Sequence, residues 1–80
     1  MRYYFHTADG SRDRDTTGTE LPNLNAARKQ AIMFAGECMA FDPDILSDHH
    51  DFRVEVTDKR DMILFTIITL AVNAPSTGTT

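Results

Sequence analysis

One stretch, Gly18 to Ala31, divides the chain and restricts what it can fold into. Gly18 can adopt a positive φ, and Leu21 and Pro22 close whatever comes before. Asn23 or Asn25 can then cap the backbone N–H groups that a helix leaves unpaired at its start. Alanines with Arg28, Lys29 and Gln30 favour helix strongly, so a helix is predicted from about Leu24 to about Ala40. Asp42-Pro43 makes its continuation past Phe41 unfavourable. Steps of 100° place Leu24, Ala27, Ala31, Phe34, Ala35 and Cys38 on one stripe, with Lys29, Gln30 and Glu37 on the far side. Met33, Gly36 and Ala40 also lie on that far side, flanked by Ile32 and Met39, so the outer face carries more apolar surface than a solvated helix needs.

The segments on either side alternate with the period of two that marks strands. Arg2 to Thr7 is aromatic-rich and runs into an Ala8-Asp9-Gly10 turn, with Tyr3 and Phe5 on one face and Tyr4 and His6 on the other. Ser11 to Asp15 reads as a charged edge strand, where Arg12, Asp13 and Arg14 discourage pairing with other chains. Asp15 to Gly18 is a second turn. Phe41, Ile45 and Leu46 are expected to tuck under the sheet edge. Phe52 to Thr57 alternates cleanly, Asp58 to Asp61 is a polar turn, and Met62 to Val72 returns as an antiparallel strand apolar on both faces.

Eighty residues allow one domain with a thin core, assigned to 1–72, followed by an unstructured tail over 73–80. Eight basic against twelve acidic residues, a net charge of −4, give no field to attract a phosphate backbone or anionic lipid, so neither nucleic acid nor membrane is an expected partner of the chain by itself. The run from Met62 to Val72 is far shorter than the about 20 apolar residues a spanning helix needs. No signal-peptide pattern opens the chain, and the single cysteine, Cys38, forbids an internal disulfide and leaves the redox compartment open, with a cytosolic setting fitting it comfortably.

The densest polar cluster is Asp48, His49, His50 and Asp51, to which His6 could add. Imidazole and carboxylate suit zinc, but a site needs three or four convergent ligands, and adjacent residues of an extended loop diverge. A solvated loop is therefore the better account, and no metal, cofactor or catalytic residue is assigned. Cys38 sits on the core stripe, where a thiol behaves as a small hydrophobe, and only His6 could serve it as a base. Asp9, Asp13 and Asp15 resemble the start of a calcium loop only by their odd spacing, and they lack the glycine and the bidentate glutamate, so a solvated turn is the better account. Gly10, Gly18, Gly36 and Gly78 match no dinucleotide or phosphate-loop spacing.

Arg2 to His6, the run Gly18, Leu21-Pro22-Asn23-Leu24 and Ala27-Arg28, and Asp51 to Val56 followed by Ile63 to Thr66 together resemble a family of short alphaproteobacterial proteins, DUF6894-like, over residues 2 to 68. Asn23 stands where the family more often has aspartate. The resemblance implies a ββαββ arrangement and a cytoplasmic location, and it implies no activity. A looser similarity to antitoxins of toxin–antitoxin pairs rests on Leu21-Pro22-Asn23-Leu24 and Ala27 following a hairpin, and it is one of fold alone.

The expected fold is α+β: two β-hairpins flanking one helix, in a four-stranded, mainly antiparallel sheet covered on one face by that helix. Strand order 2-1-3-4 or a mixed 2-1-4-3 satisfies short, uncrossed connections. The expected core is Tyr3, Phe5, Leu21, Leu24, Ala27, Ala31, Phe34, Cys38, Phe52, Val54, Val56, Ile63, Phe65 and Ile67. If Ile63, Phe65 and Ile67 face the helix, Met62, Leu64, Ile68 and Leu70 face away, beside Tyr4 in one of the two topologies. No second helix exists to cover them. A homodimer is therefore expected through these five residues or the edge of the last strand, with Ile32, Met33 and Met39 as the alternative surface. The resulting function is a non-enzymatic, self-associating interaction or regulatory module. The alternatives are an antitoxin-like, nucleic-acid-associated regulator and a metal-binding protein using the Asp48 to Asp51 loop.

Overall fold

The structure is a computed structural model that describes residues 1–9, 11–47 and 51–75. Five strands and one helix follow in the order β1 (Arg2–Ala8), β2 (Arg12–Asp13), β3 (Thr19–Glu20), α1 (Leu24–Phe41), β4 (Phe52–Thr57) and β5 (Ile63–Thr69). All pairings are antiparallel and run β2-β1-β4-β5, which is the first of the two orders allowed above. The fold is α+β as expected, but the sheet has five strands rather than four. β3 pairs with the start of β1, Arg2 opposite Glu20 and Tyr3 opposite Thr19, while β2 pairs with its end. Two residues are too few for a periodic signal, so β3 was not legible as a strand.

Asn23 is the N-cap of α1, its side chain accepting from Ala26 N–H at 2.9 Å. The helix lays Ala27, Ala31 and Ala35 on the sheet, all essentially buried. Alanine lets backbone approach backbone, and the volume between is filled by the sheet's larger side chains. Rows Phe5-Val56-Phe65 and Thr7-Val54-Ile67 cross β1, β4 and β5 on this side. Phe34 meets Phe5 edge to face at 6.5 Å between centroids, and the Arg28 guanidinium lies 5.3 Å from the Phe65 ring.

Two core expectations fail at the helix ends for one reason. Eighteen helical residues span about 27 Å, whereas six-residue β4 spans about 20 Å, so the helix overhangs the sheet. Leu24 in its first turn is 42% exposed, and Phe41 in its last is 92% exposed instead of tucking under the edge. Ile45 and Leu46 do pack on the core, half-buried.

A third failure lies in β5. Phe65 is opposite Val56, but Ile63 is opposite Thr57, so one extra residue, Leu64, is accommodated there as a bulge. A bulge reverses the facing of everything beyond it. Ile63 therefore leaves the helix side for the open face and is exposed, while Leu64 packs half-buried against the core. Leu64 is removed from the expected interface on that ground. Tyr4 keeps its expected face, but the strand order puts β4 between it and β5, and its ring lies against Gly18.

Candidate functional site

The open face of the sheet divides into a polar half over β2, β1 and β4 and an apolar half along β5. Period-two facing puts His6 on this side, away from Phe5 and the helix, and therefore on the opposite side of the sheet from Cys38. It is nonetheless almost completely buried, at 1% exposure, because the segment between β2 and β3 folds over it.

That segment is held by one carboxylate. Between its contacts with β2 and β3, β1 turns the N–H of Phe5 outward, and Asp15 Oδ2 accepts it at 3.1 Å where a neighbouring strand would offer a carbonyl. Asp15 Oδ1 accepts the N–H groups of Thr17 and Gly18 at 2.9 and 3.0 Å. Burial raises the Asp15 pKa, but the three N–H donors, from Gly18, Phe5 and Thr17, outweigh it and hold the carboxyl below its ordinary 3.8. Gly18 has φ +76°, and a Cβ there would stand 2.8 Å from Arg2 Cγ and 2.9 Å from Tyr4 Cε2, so no other residue fits without strain.

The hydrogen bonds of His6 fix its tautomer. Its Nδ1 accepts the N–H of Asp15 at 3.0 Å and is unprotonated, so Nε2 carries the proton and donates to Thr57 Oγ1 at 2.8 Å. Burial, then the Arg12 and Arg14 guanidiniums, keep the imidazole pKa below its ordinary 6.5, against the opposing pull of Asp61 and Asp15. The 3.8 Å approach of Asp61 Oδ1 to Nε2 is thus a contact with a neutral ring.

Around this centre the charged edge is ion-paired across the face. Arg12 reaches Glu55 on β4 at 3.1 Å, and Arg14 takes both oxygens of Asp61 at 3.0 and 3.3 Å. Asp61 is brought there by the β4–β5 turn, in which Asp58 Oδ1 accepts from the N–H groups of Arg60 and Met62. A cleft of about 260 Å³ opens beside the cluster, lined by Tyr4, His6, Thr57, Lys59 and Asp61 among others.

His6 and Thr57 sit at the distance of a base and its nucleophile, yet the arrangement is set for structure. The ring nitrogen facing Thr57 already holds its proton and cannot take another from the hydroxyl, and the opposite nitrogen faces a backbone N–H rather than an orienting carboxylate. Cys38 stands apart, half-buried on α1, its thiol pKa pushed up by burial and then by Glu37, which opposes thiolate chemistry.

Of the loop expected to be the densest polar cluster, Asp48, His49 and His50 lie outside the described residues. Asp51 is engaged by Arg53 at 3.0 Å. Among the described residues, no group of three or more His, Cys, Asp or Glu side chains converges as a metal would require.

The apolar half is plainer. Ile63, Ile68 and Leu70 share the open face and are 53% to 58% exposed, and Met62, just before the strand, is 64% exposed. Among the described residues, β5 has a single neighbour in the sheet, β4. On the outer side of the helix Ile32 and Met33 are exposed, while Met39 is half-buried against the core.

These features define a small α+β domain whose antiparallel sheet has a helix on one face and a split polar and apolar surface on the other. The family described as Domain of unknown function (DUF6894) matches residues 2–71, and the chain belongs to that family. Comparison with curated proteins and with solved structures found no match. No helix among the described residues is long and apolar enough to cross a membrane.

The site centred on Asp15 lies outside the sequence-based expectations, although part of its signal is local. Asp15-Thr16-Thr17-Gly18 is a sequence in which a carboxylate closes on backbone N–H groups two and three residues ahead. The long-range half of the site, Phe5 N–H and the His6 ring, depends on pairing that no local pattern displays.

Proposed function

We propose that the protein is a non-enzymatic interaction module that associates with a second copy of itself through β5. The observation that carries this reading is the set of exposed Ile63, Ile68 and Leu70, with Met62 beside them, on and next to a strand whose outer edge meets no other strand among the described residues. Full burial of each such side chain is worth about 1.5 to 3 kcal/mol, a large share of the stability of so small a domain. A second copy is the favoured occupant because β5 has no charged residue between Met62 and Val72. Two-fold pairing brings the same patch of both copies together, so any charge there would face its like. A cytoplasmic location accords with the free thiol of Cys38.

Sedimentation of the wild type against Ile68→Lys with Leu70→Glu tests the reading. Both positions are exposed, so the variant is expected to stay folded and run as a monomer, while the wild type shows a concentration-dependent dimer. A wild type that stays monomeric at high micromolar concentration overturns it. Leu64 is unsuitable for this purpose, since a charge there would disturb packing against the core.

A further inference from the structure

We propose that His6 and Asp15 form a proton-operated latch that closes the β1 edge of the sheet when His6 is neutral and releases it when His6 is protonated. The geometry allows only one state of the ring. In the neutral Nε2–H tautomer every polar atom of the cluster is matched: Asp15 N–H to Nδ1, Nε2–H to Thr57 Oγ1, and the Asp15 carboxylate to three backbone N–H groups. An imidazolium carries a proton on both nitrogens. Nδ1–H would then point at Asp15 N–H across 3.0 Å, donor against donor, and one must move.

The ring is held by β1 and by its partner on β4, so the mobile party is the segment between β2 and β3. Displacing the Asp15 N–H displaces its carboxylate as well, and with it the bonds to Phe5, Thr17 and Gly18.

The surroundings give the new charge less relief than burial and two guanidiniums take away: Asp61 and Asp15 favour it, but they are outweighed. Arg12 on β2 and Arg14 beyond it are both cationic. From β4, Glu55 is committed to Arg12 at 3.1 Å; from the β4–β5 turn, Asp61 stands 3.8 Å from Nε2 but is held by Arg14 at 3.0 Å. Asp58 and Lys59 line the same cleft with opposite signs. An imidazolium drawing Asp61 from 3.8 Å to hydrogen-bond distance competes with Arg14 for that carboxylate, which loosens the other end of the segment. Release leaves Phe5 N–H without its acceptor, so acid opens a gap in the β1 edge between β2 and β3. This inference does not depend on association through β5.

Hydrogen exchange followed by NMR between about pH 7 and about pH 4.5 tests it, a range in which carboxyls as low as Asp15 stay ionised. Protection factors at Phe5, Thr17 and Gly18 should fall together by about tenfold or more in the wild type, while Val54 and Val56 keep theirs. His6→Asn retains an acceptor near Nδ1 but cannot be protonated, and its protection should stay level. A wild type that keeps its protection throughout overturns the proposal, as does an equal fall in His6→Asn or a fall that includes Val54 and Val56. Ring ¹⁵N shifts of the wild type supply a second readout that needs no variant to fold. They should show Nε2–H at neutral pH and titrate with the same midpoint as the loss of protection; separate midpoints also overturn it.

Discussion

The two edges of this sheet receive opposite treatment. Along β1 the edge is closed piecewise: β2 covers one end, β3 the other, and the Asp15 carboxylate fills the gap between them. The charged residues there are tied to Glu55 and Asp61 on the open face, so the edge is both filled and pinned. Along β5, among the described residues, there is no charge and no covering strand, and Ile63 and Ile68 are exposed. An edge left bare presents unpaired N–H and C=O groups, a liability that proteins usually manage with charge, proline or a covering segment. This chain applies those devices to one edge and withholds them from the other. The difference is the ground on which association through β5 is proposed.

The largest effect is expected from removing the carboxylate that closes the first edge. Asp15→Ala orphans three backbone N–H groups and should cost about 2 to 4 kcal/mol in denaturant unfolding, given about 1.5 to 3 for each hydrogen bond to a charged group and partial rescue by water. Asp15→Asn should cost less in the same measurement, because one amide oxygen can still serve Thr17 and Gly18.

Next comes Gly18→Ala, which forces a side chain into a positive-φ position against Arg2 and Tyr4. A loss of about 1 to 3 kcal/mol is expected by the same assay.

Acid should weaken the closed edge further. His6 binds its proton less readily folded than unfolded, so between its ordinary 6.5 and its lower folded value the unfolded chain holds more protons. The stability contributed by neutral His6 is therefore complete above 6.5 and is lost as pH falls through that window. Asp15 adds a second loss only below its ordinary 3.8, where the unfolded carboxylate takes up a proton first. Thermal melts at stepped pH should show the first loss in the wild type and not in His6→Asn.

Smallest of all is the response expected at β5. Ile68→Lys should change the stability of the dilute monomer by no more than about 0.5 kcal/mol, as is usual for exposed positions, while removing self-association. An equal and large destabilisation at both edges would erase the contrast between them.

Much of the scaffold was legible before the structure. Asn23, the alanine run and Asp42-Pro43 delimit α1, and the alternation from Phe52 to Thr57 marks β4, because in each case the signal is local and repeats. What escaped depends on length or on distant partners. Leu24 and Phe41 lie near the helix's apolar stripe, yet a helix longer than its sheet leaves both ends in solvent. Ile63 and Leu64 exchange roles because a bulge, which no residue type there announces, reverses the facing. The charges of Arg12 and Arg14 read as solvated edge residues, whereas the β4–β5 turn supplies Asp61 to hold Arg14. The partners of His6, Asp15 and Thr57, come from a pairing register that composition cannot display.

Amide exchange along β5 at increasing protein concentration tests the contrast of the two edges most directly. Alternate N–H groups of Ile63 to Thr69 point away from β4, and these should gain protection as concentration rises, while those of Arg12 to Glu20 stay constant. Exchange on β5 that is independent of concentration, or protection gained on the β1 side instead, would contradict the account.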